Sequence, residues 1–156
     1  MNATLKTLVG AIAAIWIVLL AGMVILAQGN PSESHFADGG IEGTVAEVED
    51  LNLTATAVAP ADVYGEEFAF AAFICPGMTE QDISEFYGVD ASALELDGAV
   101  PQDMNYLMLV RQDGTTEYDA IARDSIDLCT AQTYPVPANA LVPLAQTEQG
   151  GWQLLV

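Results

Sequence analysis

Hydrophobic positions fall into three regimes along the chain. From Leu8 to Ala27, twenty residues run without a charge, LVGAIAAIWIVLLAGMVILA. At ~1.5 Å of rise per residue, a helix of that length spans about 30 Å, the thickness of a bilayer's hydrocarbon core. A core helix of a small domain would be shorter and would carry a polar stripe. This run carries none and predicts a transmembrane helix over 8–27. Polar residues and turn-formers then dominate from Gln28 to Gly40, QGNPSESHFADGG. Pro31 blocks helix continuation there, so 28–40 reads as a linker.

From Ile41 onward, apolar and polar positions interleave on short periods. Ile41, Val45 and Val48 among Glu42, Glu47 and Glu49, then Leu51, Leu53, Ala55 and Ala57, are read as one or two half-buried strands. Pro60-Ala61-Asp62 breaks that run. The denser EFAFAAFI from Glu67 to Ile74 predicts a central strand that delivers Cys75 into the core, and Pro76-Gly77 a turn. A helix is marked by Thr79 ahead of Asp82 in a capping pattern, with Ile83, Phe86 and Tyr87 on one face and Gly88 as the stop. Ala91 to Leu96 suits a further helical turn. Tyr106 to Arg111 predicts a buried strand, Asp113-Gly114 a hairpin turn, and Thr115 to Ala122 the returning strand. Three prolines between Gln132 and Pro143 predict extended, irregular chain. Gly150-Gly151 then leads into a last strand, Trp152 to Val156. The predicted fold is α+β: one N-terminal transmembrane helix followed by a small, mostly β extracytoplasmic domain (41–156) with one or two short helices.

Charge orients the chain. Lys6 and the amino terminus precede the span, and the next basic residue is Arg111, so the short segment 1–7 is expected in the cytoplasm and the domain outside. A cleavable signal peptide is the competing reading, with Ala27-Gln28-Gly29 as its small-residue site. The apolar run exceeds the ~7–15 residues usual for such a segment, which favours an uncleaved anchor in the plasma membrane. All 22 Asp and Glu follow the span, against Arg111 and Arg123, so the exported part carries about −20. Such a field repels nucleic acid and anionic lipid and attracts a basic partner. A solvated acidic surface that needs no partner fits the composition equally well.

Candidate chemistry is sparse. Cys75 and Cys129, the only cysteines, both lie on the exported side and are expected to pair, with two free buried thiols as the alternative. One His and two isolated Cys give no metal-ligand spacing. His35 sits in the linker, where nothing would hold its tautomer for Ser-His-Asp catalysis. Asp113 to Asp119 lacks the alternating acids of a calcium loop and is better explained as a hairpin turn. No catalytic residue, cofactor or metal is expected, and the protein is read as a non-enzyme. The predicted helix places small residues at Gly10, Ala14 and Ala21 along roughly one side, with Trp16 near mid-span, a face on which another membrane helix can approach closely. An ordinary Ala- and Gly-rich span is the plainer alternative.

The plan as a whole, from the short N-terminus and the span LVGAIAAIWIVLLAGMVILA through the Pro-Ser linker to an acidic two-cysteine domain ending in GGWQLLV, resembles a small accessory subunit of the actinobacterial cytochrome bcc–oxidase respiratory supercomplex. The resemblance covers the layout of the chain rather than a diagnostic motif. It implies a non-catalytic protein that packs its helix against a larger membrane complex and folds its domain on the periplasmic side. A membrane-tethered extracytoplasmic binding module, for a basic peptide or a cell-envelope component, is the alternative from another class.

Overall fold

The computed structural model describes residues 40–130 and 134–155. The predicted span 8–27, its flank 1–7 and most of the linker lie outside the described residues. Among the described residues no helix is long and apolar enough to cross a membrane.

The domain is α+β and mostly β. Two four-stranded sheets share one core. The first has the order β1-β7-β8-β5, built from β1 (Ala55–Val58), β5 (Ile126–Asp127), β7 (Val142–Gln146) and β8 (Trp152–Leu154). The second has the order β4-β3-β2-β6, built from β2 (Phe68–Ile74), β3 (Met104–Arg111), β4 (Thr116–Ala122) and β6 (Val136–Pro137). All pairings are antiparallel except β5 with β8. Between the sheets lie Phe68, Ala71 and Phe73 of β2, Leu107 and Leu109 of β3 and Ile121 of β4, facing Val142, Leu144, Trp152 and Leu154.

Alternation along β2 is interrupted once. A register shift between Phe68 and Phe70 lets Phe68 join Ala71 and Phe73 on the inner face, although their spacing is odd. An extra residue in one strand resets the phase of the pleat, as a β-bulge does. Beyond it, Phe70, Ala72 and Ile74 point outward. There a second cluster forms from Ala72, Ile74 and Met108 with Ile83, Ala91 and Val100.

The first segment of the domain departs from the expected strands. Gly40–Asp50 is helix α1. Ile41, Val45 and Val48 are spaced by four and three residues, a helical period, and the first two are buried in the core with Val48 packed on it. The helix gives way at Asn52, which takes φ +57°. Leu51, read as a strand residue, is 71 % exposed, and only Ala55–Val58 is strand. The proline break at residue 60 is instead the first turn of a short helix α2 (Pro60–Tyr64), where a missing N–H costs nothing. The expected helix is present as α3 (Glu80–Tyr87). Thr79 and Asp82 form the reciprocal capping box, and Gly88 closes the helix at φ +69°. Ser92–Leu94 makes one 3-10 turn. The proline-rich stretch is more regular than expected, because β7 pairs with both β1 and β8, with Pro143 near the start of β7, where its carbonyl accepts from the Leu155 amide at 3.0 Å.

Candidate functional site

Cys75 and Cys129 form a disulfide with Cα atoms 5.7 Å apart, tying the end of β2 to the segment after β5. Asn105, fully buried on the inner face of β3, holds that segment in place. Its Nδ2 donates to the carbonyls of Ile121 (2.9 Å) and Ile126 (3.1 Å), and its Oδ1 accepts from the Leu128 amide at 2.7 Å. The Cys129 amide donates to Asp127 (2.9 Å), whose other oxygen meets Arg123 at 2.6 Å. The remaining predicted site residues, Gly10, Ala14, Trp16 and Ala21, lie outside the described residues, as does His35.

A second buried polar centre joins α1 to the second sheet. Asp119 of β4 is 7 % exposed and accepts from the Tyr64 hydroxyl, which itself accepts from the Ile41 amide at 2.9 Å. Burial is the main cause that pushes the Asp119 carboxyl above its ordinary range; the nearby charge of Glu42 adds to it, while the hydrogen bonds from Tyr64 and Ile41 oppose it. The Tyr64 phenol is likewise raised, first by burial and then by the charge of Asp119. Gly40 sits over this pair at φ +56°, where a side chain's Cβ would fall 2.8 Å from the Tyr64 hydroxyl and closer still to Asp119. Only glycine brings α1 this near.

Two concave surfaces stand out. One, of about 470 Å³, runs between α1 and the chain at Asp124–Ser125 and Gly150–Trp152, with Glu42, Glu49 and Asp124 supplying its charge. Glu49 accepts from the Trp152 indole at 2.6 Å and from Gln146 at 3.2 Å. Those carboxylates suit electrostatic capture of a cationic group. The other, of about 210 Å³, lies on the outer face of β2 and β3 and is apolar, lined by Phe70, Ala72, Tyr87, Val89, Met108, Val110 and Pro135. Among the described residues no group of three or more His, Cys, Asp or Glu side chains is placed to hold a metal ion.

Charge is distributed unevenly. Apart from Glu33 and Asp38, every acid of the chain lies in the described residues, together with both arginines. Arg111 pairs with Glu117 while stacking over the Phe68 ring at 4.6 Å, and Arg123 pairs with Asp127. Both cations are thus committed to their own fold.

Asn105, Tyr64 and Asp119 escaped the sequence reading, yet a signal was present. Asn105 shares inward parity with Leu107 and Leu109, and Asp119 shares it with Ile121; a polar residue at such a position must find buried partners. Comparison of the chain with protein-family models, with curated proteins and with solved structures gives no match.

Proposed function

We propose that this protein is a non-catalytic accessory subunit of a respiratory membrane complex, of the kind the cytochrome bcc–oxidase resemblance implies. In this reading residues 8–27 anchor it in the plasma membrane and pack through Gly10, Ala14, Trp16 and Ala21 against a larger subunit. The acidic domain covers or electrostatically tunes the periplasmic face. The observation that carries the reading is the charge balance: twenty acids accompany two arginines in the domain, and both arginines are internally paired. A surface of that kind attracts a cationic neighbour. The Cys75–Cys129 bridge supports an oxidising, extracytoplasmic setting.

Purification of the full chain through a C-terminal tag in mild detergent, with a visible spectrum of the eluate, tests this. Stoichiometric haem absorbance in one large particle is the expected result, and a small colourless species overturns it. Replacing Gly10 and Ala14 with Leu is expected to release the protein from that particle. The second reading, a tethered binding module for a basic peptide, is favoured by the acidic groove between α1 and Asp124. Under that reading, partner binding persists at full strength without residues 1–30.

A further inference from the structure

Among the described residues, the outer face of the second sheet is only partly covered. Helix α3 lays Ile83 over Ala72, Ile74 and Met108, closing that end. Toward Phe70 and Val110 no described element covers the sheet. Ala72, with no bulk beyond its Cβ, and the flexible Met108 leave a hollow about the size of one large apolar side chain.

Exposed aromatic side chains gather around this hollow. Phe70, part of its wall, is 50 % exposed. Phe86 is 57 % exposed and stacks edge-to-face, at 4.8 Å, on Tyr87, another wall residue. Single exposed aromatics are ordinary, whereas a half-exposed Phe in the wall of an apolar groove, with a second exposed Phe stacked on another wall residue, marks a contact surface. The segment Glu85-Phe86-Tyr87-Gly88-Val89-Asp90 supplies the aromatic wall between two acids. Asp90 follows the wall residue Val89 in sequence, and its carboxylate accepts from the Ser92 amide at 3.0 Å.

We infer that this groove seats one large apolar side chain of a basic partner segment, with lysine or arginine flanking that anchor and drawn by the acid excess of the domain. Charge selects this occupant. A second copy of the chain, at net charge −19, brings the same acidic surface and is repelled, as are anionic lipid and nucleic acid. The apolar anchor supplies affinity at the desolvated centre, and the charges supply rate and partner choice. The inference deepens the accessory-subunit reading by assigning the contact surface of the domain, and it rests on that reading.

The test uses the full chain in nanodiscs of zwitterionic phosphatidylcholine, with empty nanodiscs subtracted. Fluorescein-labelled Lys-Lys-Phe-Lys-Lys is titrated and read by anisotropy. Lys-Lys-Gly-Lys-Lys and Ser-Ser-Phe-Ser-Ser are each expected to bind about tenfold more weakly or worse. Phe70→Ser is expected to weaken the first peptide about tenfold, while Leu141→Ser, at an exposed position outside the groove, leaves it unchanged. Circular dichroism and the absence of free thiols verify folding; if Phe70→Ser fails to fold, Phe86→Ser on the exposed side of α3 takes its place. Equal binding by the glycine peptide, equal binding by the serine peptide, unchanged affinity in the folded variant, or no saturable binding by the wild type each overturns the inference. Failure of the accessory-subunit reading is scored separately, by loss of co-eluting haem from the wild-type chain.

Discussion

Asn105 directs its side-chain amide to three buried backbone groups, the carbonyls of Ile121 and Ile126 and the amide of Leu128. Asn105→Leu removes the amide and takes these partners from the Ile126 carbonyl and the Leu128 amide, while Ile121 stays paired in the β3–β4 ladder. The expected cost is about 3 kcal/mol, read as a lowered urea midpoint of the oxidised protein. Asp119 gives the other residue-level prediction. Its folded-state pKa is raised, chiefly by burial, so the folded chain holds its proton more tightly than the unfolded chain. That contribution is fully present below the ordinary carboxylate pKa and is lost as pH rises through the raised one. Asp82, Asp90 and Asp113 have lowered pKa values, set by hydrogen bonds from Thr79, Ser92 and Thr115, and carry the opposite slope. The informative quantity is therefore the difference between wild type and Asp119→Asn in urea unfolding. The stability advantage of the variant is expected to grow as pH rises from the acid range to neutrality. A constant difference would show that Asp119 has the same pKa folded and unfolded.

Among the elements, α3 was the most legible, because its signals are local. Thr79, Asp82 and Gly88 fix both ends through contacts within a few residues, and no tertiary partner is needed to recognise them. Thr79→Ala removes the cap and is expected to cost about 1 kcal/mol in urea unfolding. The segment that forms α1 reads as strand for a physical reason. Ile41, Val45 and Val48, followed by Leu51 and Leu53, satisfy a helical period in their first part and an alternating one in their second. What settles the matter is non-local: Tyr64, from the next helix, receives the Ile41 amide, and Gly40 allows the approach. Likewise β7 hid among prolines, since its strand character comes from β1 and β8 on either side rather than from its own residues.

At the scale of the whole domain, the single covalent closure spans both layers of the fold. Reducing Cys75–Cys129 opens a loop with a sequence separation of 54 residues. In the chain-entropy account this lowers stability by about 4 kcal/mol, which a urea titration with and without reductant measures. Most of the net charge lies in this domain, and neither arginine is free to meet an outside acid. Added salt is therefore expected to raise the stability of the domain by screening its self-repulsion, up to the Debye-length limit at which exposed charges no longer interact.

The sequence alone determined what depends on composition and on neighbours close in the chain. It supplied the apolar run at 8–27, the acid excess, the two-cysteine count, the α3 caps and the hairpin at Asp113-Gly114. These are local or additive properties, and no folding is required to evaluate them. Tertiary structure decided which face each strand turns inward, since one bulge between Phe68 and Phe70 resets the phase of β2. It also decided that Asn105, Tyr64 and Asp119 become buried connectors and that Phe70 stays half-exposed in the wall of a hollow. Those outcomes depend on which surfaces residues far apart in sequence bring together, and the periodicity of a single segment carries no record of its partner.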